Sequence, residues 1–148
     1  MAIVANCRAL EDCGSTVDAL CLLAGTRELL TAIALANGIA TEDIASAFFT
    51  STADLRSAFP ARAARDLGWT DVPLLGATEV DKPGAPPRCI RVLLHWNTSR
   101  RQDEIVHVYL RGSDVMRAHD PPSHLSSGAS LDDRPSKTTF QDAVPPPS

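Results

Sequence analysis

Arg91 stands inside the most apolar run of the chain, Cys89-Ile90-Arg91-Val92-Leu93-Leu94-His95-Trp96. A guanidinium stays charged throughout the pH range of proteins and is costly to bury without a partner. In an extended strand, Arg91, Leu93 and His95 share one face, and Ile90, Val92 and Leu94 share the other. Glu79 lies near the end of another apolar run, one residue before Val80. Arg91 and Glu79 can form a buried structural ion pair or a charge held ready for a ligand, and the pattern alone leaves both open. A second concentration of charge is Phe59-Pro60-Ala61-Arg62-Ala63-Ala64-Arg65. Arg62 and Arg65 are neighbours on one helix face. Pro60 suits a first helical turn, where free N–H groups and the dipole favour an anion. A solvated basic face is the plainer explanation. Tyr109 shares a strand face with His107, as a core residue or a ligand contact, and Arg8 ends the first apolar segment, by default as a surface charge. No nucleophile–base pair, glycine-rich phosphate loop or metal-ligand cluster competes with these groups.

The elements that position them are short. Ile3 to Ala9 reads as a buried strand. Ser15 is a candidate N-cap, with Asp18 three residues on. A helix then runs to about Asn37, carrying a buried stripe of Leu22, Leu23, Leu29, Leu30, Ile33 and Ala36, and Gly38 stops it. Ile44 to Thr50 is a strand, Asp54 to Ala58 a turn, and Pro60 to Asp66 a short helix. Val72 to Val80 and Cys89 to Trp96 are strands, separated by a loop over Lys82 to Pro87, which contains three prolines. Arg101 to Glu104 reads as a turn, Val106 to Leu110 as a strand, and Asp114 to Arg117 as a last short strand. Beyond Asp120, Pro, Ser, Asp and Gly dominate, and such a tail buries too little apolar surface to offset its ordering entropy. The expectation is an α+β domain over 1–119 and a disordered Pro/Ser-rich tail over 120–148.

Composition narrows the function. Among 148 residues, 14 Lys and Arg face 18 Asp and Glu, for a net charge of −4. Nucleic-acid binding has no global electrostatic support, and an anionic ligand must be met by local positive charge. No uninterrupted apolar run reaches the roughly 18 residues of a membrane span. The N-terminus lacks the pattern of a signal peptide, so a cytoplasmic protein without membrane attachment is expected. Cys7, Cys13, Cys21 and Cys89 form no C-x-x-C pair and read as free thiols in a reducing compartment.

Four stretches together resemble the small, trimeric chorismate mutase family. They are Asp54-Leu55-Arg56-Ser57-Ala58-Phe59-Pro60-Ala61-Arg62-Ala63-Ala64-Arg65, Val72-Pro73-Leu74-Leu75 leading to Glu79, Cys89-Ile90-Arg91-Val92, and His107-Val108-Tyr109-Leu110. They follow one another in family order, and the resemblance runs from about Thr26 to Arg117. It implies a small mixed β-sheet with helices on one side and three subunits joined around a barrel-like core. Active sites then lie between subunits. The implied reaction is the rearrangement of chorismate to prephenate, on the branch leading to phenylalanine and tyrosine, without metal or other cofactor. Arg91 becomes the partner of the ether oxygen that gains charge as the C–O bond breaks. Glu79 accepts from the ring hydroxyl and orients Arg91, and Arg8 and Tyr109 contact a carboxylate or lie beside the ether. Arg62 and Arg65 bring positive charge from the neighbouring subunit. Phe59, Ala61, Leu75, Gly76 and Met116 line the site.

The chain departs from the family pattern in three places. Gly76 stands where a cysteine is usual, Thr52-Ala53-Asp54-Leu55 lacks the proline of Thr-Pro-Asp-Leu, and Ala9-Leu10-Glu11-Asp12 replaces a Gly-Ala-Thr-like run after Arg8. A weakened or inactive relative that binds a small molecule on the same scaffold is the competing reading. Joint retention of Arg91, Glu79 and Tyr109 argues for the enzyme.

Overall fold

In the computed structural model, which describes residues 1–8, 13 and 17–119, five strands make one mixed sheet. They are β1 (Ala2–Arg8), β2 (Ile44–Ser51), β3 (Leu74–Thr78), β4 (Cys89–Trp96) and β5 (Val108–Leu110). Their order across the sheet is β3-β2-β4-β1-β5. β4 runs antiparallel to both β1 and β2, while β5 lies parallel to β1 and β3 parallel to β2. Two helices, α1 (Ala19–Asn37) and α2 (Ala61–Asp66), join the core on one face.

Alternation of side chains sets that face. Ile3, Ala5 and Cys7 of β1, Ile90, Val92 and Leu94 of β4, and Ala47 and Phe49 of β2 meet Leu22, Leu29, Leu30 and Ile33 of α1 in one buried cluster. Asp18 caps α1 by accepting from the Cys21 amide at 2.8 Å. It takes the role expected of Ser15, which lies outside the described residues. Gly38 ends the helix at φ 65°, a left-handed conformation that glycine adopts without a Cβ penalty. α1 spans 19 residues with a mean hydropathy of 1.6, long and apolar enough to cross a bilayer. Its mid-helix pair Arg27-Glu28 and its buried stripe identify it as a core helix, with Arg27 3.6 Å from Asp66 and Glu28 bridged to Arg111.

Three expectations are corrected. β3 covers only Leu74–Thr78: Pro73, which has no N–H to give a ladder, precedes it, and the Glu79 amide makes the last bond to β2, at the Ser51 carbonyl. Ser113–His119 forms 3-10 turns instead of a strand, since the Ser113 hydroxyl bonds the Asn6 carbonyl at 2.9 Å and folds this segment back over β1. Cys13 and Cys21 are joined in a disulfide across a Cα–Cα distance of 6.3 Å, whereas Cys7 and Cys89 are free thiols. The expected tail over 120–148 lies outside the described residues.

Candidate active site

The face of the sheet opposite the helices is ordered in rows. Cross-strand register aligns Leu75, Phe48, Leu93 and Val4 in one row, taken from β3, β2, β4 and β1. It is apolar yet open, with Leu75 56%, Phe48 39% and Leu93 38% exposed. Two residues along each strand, the next row starts at Ala77 on the β3 edge and is polar from there on: Thr50, Arg91, Asn6 and Tyr109. The same alternation that buries Ile90 and Val92 therefore sets Arg91 on this open face, between Thr50 and Asn6.

Arg91 is held from two sides. Its Nε donates to Asn6 Oδ1 at 2.9 Å, and its Nη1 lies 3.5 Å from Glu79 Oε1. Glu79 is itself fixed, accepting from the Thr50 hydroxyl at 2.5 Å while its amide donates to the Ser51 carbonyl at 2.9 Å. Arg91 and Glu79 side chains remain 28% and 24% exposed. A fully buried structural pair would be closed to solvent, whereas this one is reachable by a ligand.

Arg8 sits on the same face two residues beyond Asn6, opposite Cys89 in the β1–β4 ladder. The Cys89 thiol records the field here. Burial raises its pKa first, the Asp54 and Glu79 carboxylates push it further, and Arg8 and Arg91 pull it down. The Thr52-Ala53-Asp54-Leu55 motif anchors this end of β4. The Thr52 hydroxyl accepts from the Cys89 amide at 3.0 Å, and Asp54 accepts from the Arg88 amide at 2.9 Å. Arg88 has φ 55°, a conformation rare for a residue with a side chain, so this anchor holds a strained strand entry. Tyr109 is set at the far edge by β5, whose approach is tied down by Asn37, bonded to both the amide and the carbonyl of Val106 at 2.9 Å. His107 Nδ1 also accepts from the Val4 amide at 3.0 Å. The Arg117 guanidinium lies 4.6 Å from the Tyr109 ring centre, and Met116, next to Arg117 in the chain, is half-buried.

Most of the remaining sequence candidates lie elsewhere in the chain. Phe59, Arg62 and Gly76 line a cleft of about 510 Å³ together with Phe49, Leu55 and Thr78. Phe49 faces the helices, and Gly76 is its partner in the β2–β3 ladder, so this cleft opens on the helix side of the β3 edge. Leu75 and Gly76, expected at one site, therefore point to opposite faces. Phe59 is 83% exposed, Ala61 is half-buried and Arg62 is exposed. Arg65 does not join Arg62. It bonds the carbonyls of Trp69 and of Thr70, the latter at 2.9 Å, and closes the turn after α2. A Cβ on Gly76 would meet nothing within 4 Å, so the missing family cysteine leaves open space.

The sheet face thus brings together Arg91, Glu79, Arg8 and Tyr109 and leaves Phe59, Ala61 and Arg62 apart from them. It adds Asn6 and Thr50, which the sequence reading missed. Asn6 carried a usable signal as a polar residue among Ile3, Val4, Ala5 and Cys7, in a segment read as a buried strand. Such an arrangement presents a fixed cation, a carboxylate and a phenol to a bound anion.

Residues 16–120 match the family model described as chorismate mutase type I. The chain is 58% identical over 93 residues to the chorismate mutase AroH of Thermus thermophilus, covering 62% of this chain and 76% of that protein. It is 39% identical over 97 residues to the chorismate mutase AroH of Bacillus subtilis (strain 168), covering 65% of this chain and 76% of that protein. A solved chorismate mutase from Clostridium thermocellum superposes with a TM-score of 0.72 at 42% identity, covering 78% of this chain and 98% of the other. The chain belongs to the type I chorismate mutase family.

Proposed function

We propose that the protein rearranges chorismate to prephenate on the open sheet face, with Arg91, Glu79, Arg8 and Tyr109 as its working groups. The reaction is unimolecular and pericyclic, so the site has two tasks. It holds a flexible dianion in its compact reactive conformer, and it stabilises the negative charge that grows on the ether oxygen as the C–O bond breaks. Arg91 performs the second task. Its guanidinium is preorganised by Asn6 and Glu79, and a charge held in place within a partly desolvated site acts more strongly than the same charge in water. Glu79 accepts the ring hydroxyl, while Arg8 and Tyr109 take a carboxylate or flank the ether.

The active assembly is a homotrimer, with each site completed by a neighbour. Two observations support this. The open row of Leu75, Phe48 and Leu93 is an apolar patch of the kind that marks protein contacts. Phe59 and Arg62 stand on the other side of the sheet from Arg91, so a second copy is needed to bring them to the same ligand. In that arrangement Phe59 and Ala61 supply an apolar wall and Arg62 supplies positive charge, with Leu75, Gly76 and Met116 at the margins. The setting is the cytoplasm, on the branch toward phenylalanine and tyrosine.

The observation that carries the reading is the partly exposed guanidinium of Arg91, braced on two sides within an apolar strand. The test is loss of chorismate absorbance in the ultraviolet, for wild type beside Arg91→Ala. Rapid turnover that falls at least about a hundredfold in the variant is expected. No turnover by the folded wild-type protein would refute the reading in favour of a binding-only relative.

A further inference from the structure

The geometry points to Asn6 as a positioning residue for the rearrangement: a neutral acceptor that fixes the guanidinium of Arg91 without cancelling its charge. This inference rests on the proposed role of Arg91. Asn6 is fully buried at the centre of the polar row, directly between Arg91 on β4 and Tyr109 on β5. An amide is seldom buried in a central strand unless its polar atoms are used. Here Oδ1 accepts from Arg91 Nε at 2.9 Å, a bond spanning 85 residues of sequence.

The chemistry of that acceptor matters. Nε is the inner corner of the guanidinium fork, and a bond there fixes the plane of the group, since the fork is rigid. Nη1 is turned to Glu79, whose position is set by Thr50. One carboxylate already faces the cation. A second at position 6 would neutralise the field that the breaking C–O bond needs, and an apolar side chain would leave Nε without this acceptor. Asparagine meets both demands, supplying a carbonyl oxygen without a charge. Its backbone is held independently, because the Ser113 hydroxyl bonds its carbonyl at 2.9 Å. The side chain therefore projects from a fixed point.

A residue that sets the geometry of a transition-state donor acts on kcat more than on ground-state binding. The experiment compares Asn6→Ala, the near-isosteric Asn6→Asp and Arg91→Ala with wild type. Melting temperature and oligomeric state are recorded for each. Readouts are kcat, KM, and the affinities for prephenate and for a stable bicyclic ether dicarboxylate shaped like the transition state. Asn6→Ala is expected to lower kcat at least tenfold and to weaken the bicyclic ligand at least tenfold, with KM and prephenate affinity changing less than threefold. Asn6→Asp, which keeps the acceptor oxygen and adds charge, is expected to show the same split, and it decides the matter if Asn6→Ala does not fold. A kcat within twofold of wild type in either folded variant, or equal losses for both ligands, overturns the inference. Full activity in Arg91→Ala would instead overturn the reading of the site on which the inference depends.

Discussion

Replacing Arg91 by lysine separates charge from geometry. The ammonium keeps the positive charge on the open face, so a site that needs only a cation loses little. A site that needs a planar donor in one position loses more. Two terms set the magnitude. Lysine has no counterpart of Nε, so the bond to Asn6 at 2.9 Å disappears and the flexible stem is no longer held in one plane. The ion pair with Glu79, at 3.5 Å and about a quarter exposed, can re-form and is worth at most about 1 kcal/mol. Displacing a preorganised donor from a developing oxyanion costs about 2.7–4 kcal/mol. Taking about 3–4 kcal/mol overall, kcat should fall by two to three orders of magnitude, at about 1.4 kcal/mol per tenfold. The assay is chorismate consumption at neutral pH over a range of substrate concentrations, on protein whose oligomeric state matches wild type. A lysine variant within threefold of wild-type kcat would refute the reasoning, because charge alone would then suffice.

Burial raises the pKa of Cys7 from 9.0 to about 11, against the pull of Arg111. The folded state therefore holds the thiol proton more tightly than the unfolded chain, and about 3 kcal/mol of stability present below pH 9 is lost as pH rises through 11. Urea unfolding between pH 8 and 11 should show a shallower decline for Cys7→Ala than for wild type, and parallel curves would contradict this. The Cys13–Cys21 disulfide closes a short loop of sequence separation 8, for which chain-entropy arguments give about 2–3 kcal/mol. A dithiol reductant should lower the denaturant midpoint of wild type and leave that of a Cys13→Ser, Cys21→Ser double variant unchanged. Leu93→Asp puts a carboxylate into the open apolar row; if that row is the contact of the proposed trimer, light scattering should report monomers and activity should be lost, because an unpaired charge buried there costs several kcal/mol per copy. A trimeric, active variant would remove this row from the interface.

Much of the fold could be read from local pattern. Period-two alternation with a charged interruption revealed the strand of Arg91 and the face on which Arg91 lies, since both depend only on neighbouring residues. Gly38 marked the end of α1, and Pro60 marked the start of α2, for equally local reasons. Resemblance of motifs supplied Arg8, Glu79 and Tyr109. The ordering and register of the strands were invisible. Asn6 meets Arg91 because β1 pairs with β4, and Thr50 meets Glu79 because β2 runs parallel to β3. A strand's own sequence shows which side chains share a face but says nothing of which residue lies opposite across the ladder. Arg65 looked like the companion of Arg62 because helical spacing is local, and it was drawn away by carbonyls at Trp69 and Thr70 in a turn beyond the helix. Cys13 and Cys21 likewise looked free until the chain entering α1 brought them together. By itself, then, the sequence offered candidate groups for the chemistry and determined which way the strand residues face. Only the tertiary structure decided which of those groups meet, because cross-strand register and turn closure depend on segments far apart in the chain.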